Sequence, residues 1–246
     1  MEKGIYQVQS NRLLAREVWE MRLVAERPTM EAIRAGQFVE IAVQGGFLRR
    51  PISVCNYTDG VFTLVYKVVG TGTQTMSHWQ EGERVDMLVG LGNGYDLTKA
   101  GERPLLIGGG VGVPPLYMLA RQLREQGKQV EVILGFNTAE EVFYEEAFRD
   151  LGCAVEVFTA DGSYGQKGFV TDSMRAVADC SYYYACGPLP MLRAVSQKWG
   201  DKGEVSMEER MGCGFGACMG CSIETTEGAK RVCKEGPVFS AAEIQW

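Results

Sequence analysis

Four cysteines near the C-terminus follow the spacing Cys213-x4-Cys218-x2-Cys221-x11-Cys233, the first three inside the run MGCGFGACMGCSIE. Three thiols from one short loop and a fourth from farther along match the plant-type 2Fe-2S pattern rather than the paired C-x2-C of zinc ribbons. A two-iron rhomb needs a loop that turns sharply. Gly212, Gly214, Gly216 and Gly220 are expected to take positive φ there and to aim backbone N–H groups at the sulfurs. Structural zinc is the alternative use of the same donors. The segment from 204 to 246 has 43 residues, close to the smallest unit that folds alone, so a cluster should help to hold it and it should lean on its neighbours. A cluster carries one electron at a time. It therefore needs a two-electron cofactor beside it if the chemistry involves hydride.

The other four cysteines, Cys55, Cys153, Cys180 and Cys186, are scattered, and eight in 246 residues is far below the ~8–10% of disulfide scaffolds. The opening MEKGIYQVQSN lacks an apolar export segment, which points to the cytoplasm and reduced thiols. The longest uncharged stretch, Pro104 to Ala120, is broken by Gly and Pro and falls short of the ~20 residues that span a bilayer. A net charge of −6 without a Lys/Arg run argues against nucleic-acid or membrane partners.

Strand-like alternation marks Phe38 to Val43, Ile52 to Tyr57 and Val61 to Val69, with one short helical segment near Gln74 to Trp79, so the first part reads as a small antiparallel barrel. From Pro104 the pattern becomes strand Leu105 to Ile107, a glycine loop, a helix near Leu116 to Gln126 and strand Val130 to Phe136. Further strands at Ala154 to Thr159 and Tyr182 to Ala185 continue the cycle, the mark of a parallel sheet with crossover helices. The expected units are a barrel at 1–98, an α/β domain at 99–203 and the cysteine unit at 204–246, with Leu91 to Asp96 joining the first two. His78, the only histidine, is expected at the surface or on a helix end, and Glu140, Glu141, Glu145 and Glu146 on a solvated helix face.

Gly108-Gly109-Gly110-Val111-Gly112-Val113-Pro114-Pro115 follows a strand and opens a helix, where dinucleotide phosphates meet backbone N–H groups. Val113 stands where G-x-G-x-x-G has its last glycine, so a ligand-free strand-to-helix turn is the alternative. The next strand end, Gly135 to Glu141, has no Lys or Arg for a 2′-phosphate, which favours NAD over NADP. Cys186-Gly187-Pro188 ends another strand, and this turn and the glycine loop could face one crevice. Arg49-Arg50-Pro51-Ile52-Ser53 and the stretch from Val65 to Thr73 offer a phosphate-binding Arg and a Gly72-Thr73 helix start; a surface Arg and an ordinary turn are the alternative.

The motif order R-P-x-S, GGGVGVPP, C-G-P resembles the ferredoxin-reductase family. With RRPIS, DGSYGQKGFVTD and CGFGACMGC…VCKEGPVF, nearly the whole chain resembles the electron-transfer subunits of type B dihydroorotate dehydrogenase. The resemblance implies an FAD-binding barrel in which Arg50 faces the flavin phosphates, Ser53 lies near the ring, and Pro51, Ile52, Val65, Tyr66, Lys67, Gly72 and Thr73 complete the site. It implies an NAD pyrophosphate beside Gly109, Gly110, Val111 and Gly112, with Cys186, Gly187 and Pro188 near the nicotinamide. Ile52 stands where many relatives carry an aromatic residue, and Tyr66 is the candidate for the missing ring contact. The resemblance further implies an FMN-containing catalytic partner, two copies of each subunit, and a relay from dihydroorotate through 2Fe-2S and FAD to NAD+. No acid–base catalytic residue is assigned. A subunit of a sulfide dehydrogenase or of a ferredoxin:NAD(P) reductase shares the layout, a stand-alone reductase would carry a longer gap before its fourth cysteine, and a zinc-containing binding module is the reading outside redox chemistry.

Overall fold

Side chains alternate between buried and open along strands such as Arg84–Leu91, the pattern of a strand with one face turned to a barrel core. The computed structural model describes residues 1–27, 32–174 and 180–246. Strands β1 (Glu2–Ala15), β2 (Val18–Ala25), β3 (Phe38–Ile41), β4 (Arg50–Thr58), β5 (Val61–Lys67) and β6 (Arg84–Leu91) close in the order β1-β2-β5-β4-β3-β6, every pair antiparallel. Tyr6, Met21, Leu23, Ile41, Phe62, Leu64 and Met87 fill the interior. Helix α1 (Thr71–Ser77) follows β5 and buries Met76. The expected antiparallel barrel is present, and it includes β1, β2 and β6, which the sequence patterning did not single out.

The second layer is the parallel sheet. Its strands β7 (Pro104–Gly109), β8 (Glu131–Phe136), β9 (Ala154–Thr159), β10 (Gln166–Lys167), β11 (Tyr182–Cys186) and β12 (Gly203–Ser206) run parallel. Helices α2 (Pro115–Glu125), α3 (Glu145–Asp150) and α4 (Leu189–Trp199) lie between them in sequence. Every residue of the central β7 is buried, as expected for a strand covered on both faces. α2 begins with Pro115 at its first turn and buries the apolar stripe Leu116, Leu119, Ala120 and Leu123. With β15 (Val238–Ser240) at its edge, the sheet order is β10-β9-β8-β7-β11-β12-β15, so the winding direction reverses between β7 and β11. Among the described residues no helix is long and apolar enough to cross a membrane.

The cysteine segment contributes a hairpin, β13 (Ser222–Thr225) with β14 (Gly228–Arg231), and a final strand β15 (Val238–Ser240) that pairs antiparallel with β12. The tail thus enters the sheet that precedes it. The connection after β6 fastens it: Asn93 Nδ2 donates to the carbonyls of Glu235 (3.0 Å) and Val238 (2.6 Å), and Asn93 Oδ1 accepts from Val238 N (3.1 Å). The Asn93 backbone N–H adds a bond to Gly236 O at 2.7 Å. Asn93→Ala removes the side-chain bonds and leaves partly buried backbone groups unpaired, which should cost about 2–4 kcal/mol. The check is a thermal or urea melt; a loss below about 0.5 kcal/mol would mean that water replaces the amide.

Candidate redox-cofactor sites

The start of β4, the end of β5 and α1 meet on one side of the barrel, which gathers Arg50, Pro51, Ile52, Ser53, Val65, Tyr66, Lys67, Gly72 and Thr73 into one region. The two adjacent arginines divide their roles. Arg49 turns to β6, with Nη2 2.9 Å from Asp86 Oδ1 and Nη1 3.1 Å from Asp86 O. Arg50 lies over α1, where a Cβ on Gly72 would come within 2.2 Å of its Nε. Its Nη1 donates to Leu48 O at 2.5 Å, and no carboxylate among the described residues lies within ion-pair distance. A guanidinium without an acidic partner above a bare backbone suits an anionic ligand.

Other members of the set have structural duties. Thr73 Oγ1 accepts from Val69 N (3.0 Å) and Gly70 N (3.3 Å), so its hydroxyl holds the turn into α1. Lys67 Nζ lies 3.3 Å from Glu141 Oε1 of the sheet domain. Tyr66 is buried with its hydroxyl 3.0 Å from Asn11 Oδ1, so its ring presents no open face to stack on a ligand. The expected ring contact is therefore not offered by Tyr66 as it sits here.

The nucleotide crevice follows from topology. Ligands of open α/β sheets bind beyond the strand ends where the winding reverses, and here that point lies between β7 and β11. A cavity of about 390 Å³ opens there, lined among others by Gly109, Gly110, Phe136, Phe169, Pro188 and Met191. The two turns expected to share a crevice are in direct contact: a Cβ on Gly112 would meet Cys186 O at 2.3 Å, and one on Gly109 would meet Met191 Sδ at 2.4 Å. Gly109, Gly110 and Pro188 reach the cavity wall, whereas Val111, Gly112, Cys186 and Gly187 do not line it. Burial pushes the Cys186 thiol up to about 12, so it stays protonated and serves as packing. Among the described residues no Lys or Arg lines the cavity. A larger cleft of about 700 Å³ between barrel and sheet, near Arg12, Glu20 and Tyr144, holds none of the expected site residues.

The acidic run departs from expectation. Glu140 and Glu146 are exposed, but Glu141 and Glu145 are largely covered: Glu141 accepts from Asn137 N and Nδ2 (3.2 and 2.9 Å) and pairs with Lys67, and Glu145 accepts from Tyr164 OH at 2.7 Å. These carboxylates join structure to structure instead of facing water. His78 sits exposed on the α1 end, its Nδ1 2.7 Å from Gln74 O.

The cysteines converge two by two. Cys218 N donates to Cys213 Sγ (3.4 Å) and Cys233 N to Cys221 Sγ (3.4 Å), while Ala217 N reaches Cys213 Sγ at 3.2 Å and Gly220 N reaches Cys218 Sγ at 3.5 Å. Among the described residues no three His, Cys, Asp or Glu side chains gather at one point. Two thiol pairs, with N–H groups already turned to the sulfurs, fit a two-iron cluster in which each iron takes two thiolates. Burial opposes ionisation of Cys213, but the N–H groups of Cys218, Phe215 and Ala217 outweigh it and bring the thiol down to about 6. Of the four loop glycines only Gly214 (φ +75°) and Gly216 (φ +91°) use positive φ; Met219 takes φ +63°, a conformation expected of a glycine. Gly212 and Gly220 do not need it.

Arg231 was missed by motif reading. Its Nη1 donates to Gly216 O (2.5 Å), and its Nε and backbone N bind Glu235 Oε2 at 2.9 and 2.8 Å, with Nη2 on Glu235 Oε1, so one side chain ties the three-cysteine loop to the turn that carries Cys233. Hydrogen bonding to Arg231 pulls the Glu235 carboxyl down to about 2. A depressed folded-state value means that its stabilising contribution is complete above the ordinary 4.5 and is lost as pH falls through about 2. The stability difference between wild type and Glu235→Gln should therefore shrink from pH 5 to pH 2 in melts; a constant difference would contradict it.

Comparisons with known proteins match this arrangement. Residues 208–245 match the family model described as the iron-sulfur cluster binding domain of dihydroorotate dehydrogenase B, and residues 106–197 match an oxidoreductase NAD-binding domain. The dihydroorotate dehydrogenase B (NAD(+)) electron transfer subunit of Bacillus pumilus is 43% identical over 99% of this chain and 98% of its own length. The chain belongs to this family. Its Bacillus caldolyticus member is 45% identical over 96% of each chain. Among solved structures, that of the NADH-dependent reduced ferredoxin-NADP oxidoreductase, described in terms of flavin-based electron bifurcation, superposes with a TM-score of 0.86 at 30% identity, covering 98% of this chain and 90% of that one. Phthalate dioxygenase reductase shares the fold at a TM-score of 0.67 and 21% identity, over 85% of this chain and 70% of that one. The matched models thus describe iron-sulfur cluster binding and NAD binding, and the ferredoxin-NADP oxidoreductase structure is described in terms of flavin chemistry.

Proposed function

We propose that the chain is the electron-transfer subunit of an NAD-dependent dihydroorotate dehydrogenase, serving pyrimidine biosynthesis and oxidising dihydroorotate only through an FMN-containing catalytic partner. The observation that carries the reading is adjacency: the cysteine loop packs at Gly214 onto Glu40 of β3, and Glu40 pairs in register with Pro51 of the R-P-I-S strand. FAD, when bound, supplies the conversion between single electrons from a 2Fe-2S centre and the hydride of NADH. The chain's own residues bind and orient. In this reading Arg50 and Gly72 hold the flavin phosphates, Gly109, Gly110 and Pro188 receive NAD with Gly112 and Cys186 fixing the turn behind, and Cys213, Cys218, Cys221 and Cys233 ligate iron. No side chain of the chain is assigned to proton transfer.

The reading assigns flavin binding to 1–98, NAD binding to 99–203 and the cluster to 204–246, with two copies of each subunit in the complex and the cytoplasm as the compartment that keeps the thiols reduced. The test is a visible spectrum with iron and sulfide analysis, followed by turnover. A yellow-brown protein that oxidises NADH with artificial acceptors but leaves dihydroorotate untouched on its own is expected. A colourless, iron-free protein, or dihydroorotate turnover by the chain alone, would overturn it. Light scattering of the complex tests the two-by-two stoichiometry. The likeness to the ferredoxin-NADP oxidoreductase structure favours one second reading, a subunit with a different electron donor, which co-purification of the partner distinguishes.

A further inference from the structure

Glu40 is 1% exposed, and neither carboxylate oxygen has a hydrogen-bond partner among the described residues. Buried carboxylates are almost always paired, so an orphaned one calls for a reason. The nearest guanidinium is committed elsewhere: Arg49 holds Asp86, and toward Glu40 it reaches only the main-chain carbonyl, at 3.4 Å. The carboxylate instead faces the cysteine loop. A Cβ on Gly214 would come within 2.4 Å of Glu40 Oε1, and its φ of +75° favours glycine, so the loop closes directly over this group. On the other side, Glu40 lies across from Pro51 at the start of the strand assigned to flavin.

We propose that Glu40 is a charge-setting residue for the iron-sulfur centre, its enclosed carboxylate lowering the reduction potential of a cluster held by Cys213, Cys218, Cys221 and Cys233. Net charge and burial are among the main controls on such potentials, and an ionised carboxylate in a water-poor gap disfavours adding an electron nearby. The proposal rests on the cluster reading above.

The test uses the full chain purified with its cofactors, with Glu40→Gln and Glu40→Leu as variants, at pH 8.5. Iron and sulfide are assayed first, and the cluster midpoint is then read by a redox titration followed by electron paramagnetic resonance. Both variants are expected to load iron and to favour the reduced cluster at least tenfold, a rise of about 59 mV for a one-electron couple. Glu40→Asp, which keeps the charge, should stay close to wild type. An unmoved potential in a loaded Gln or Leu variant overturns the proposal. Loss of iron from both variants also overturns it, because it would assign Glu40 to holding the loop. Wild-type protein without a cluster signal would instead remove the underlying reading, so the two failures are distinct.

Discussion

Cys221→Ser is expected to yield a chain that still binds FAD and oxidises NADH with an artificial acceptor but contains less than about a tenth of the wild-type iron. The thiol is buried and accepts the Cys233 backbone N–H, and serine places a weaker, less polarisable ligand there. Dihydroorotate-dependent reduction of NAD+ by the complex should fall to background. The structural effect should be local. Loss of a ligand that binds only the folded form removes RT ln(1 + [L]/Kd), ~4 kcal/mol at a thousandfold excess over Kd. Hydrogen exchange should accordingly speed up between 208 and 235, while β15, anchored by β12 and Asn93, stays protected. Full iron content in the serine variant would mean that Cys221 is not a ligand.

Arg50→Ala and Gly72→Ala are expected to weaken FAD binding alike, although only the first removes a charge. Charge-assisted hydrogen bonds are worth about 1.5–3 kcal/mol, so losing the guanidinium should raise the FAD dissociation constant about 10- to 100-fold. The alanine at 72 acts through space: its Cβ would lie 2.2 Å from Arg50 Nε, so the guanidinium must leave the position it holds over α1. Because both changes act on one group, the double variant should be little worse than either single one. Flavin release measured by fluorescence, with the NADH affinity as control, checks this. Additive losses would show that Gly72 serves the flavin independently of Arg50.

Most of the α/β half could be read from sequence because its signals are local. The apolar stripe of α2, the proline at its first turn and the glycine run before it each act within a few residues, and all took the expected places. The cysteine spacing was equally local, and the two-by-two convergence of the thiols follows from it. What escaped depends on distant partners. β1 is long and half-open, with bulges that blur its alternation, and it is recognisable as a strand only through its pairing with β2 and β6. Glu141 and Glu145 look like a solvated face until Lys67 and Tyr164 arrive from elsewhere in the fold. Glu40 reads as one acid in the apolar run FVEI, and nothing nearby announces that the cysteine loop will close over it. Tyr66 carries the opposite lesson: an aromatic in a binding strand invited a ligand role, but Asn11 and the barrel interior claim it.

The pairing of β15 with β12 has a further consequence. Three residues from the far end of the chain supply the terminal strand of the nucleotide-binding sheet. Without them β12 would present a row of unsatisfied N–H and C=O groups, a template for self-association. The iron-bearing segment is thus also a cap against aggregation. A lineage that discarded it to make a simpler reductase would have to find another cover for that border, so the segment is not a freely exchangeable module.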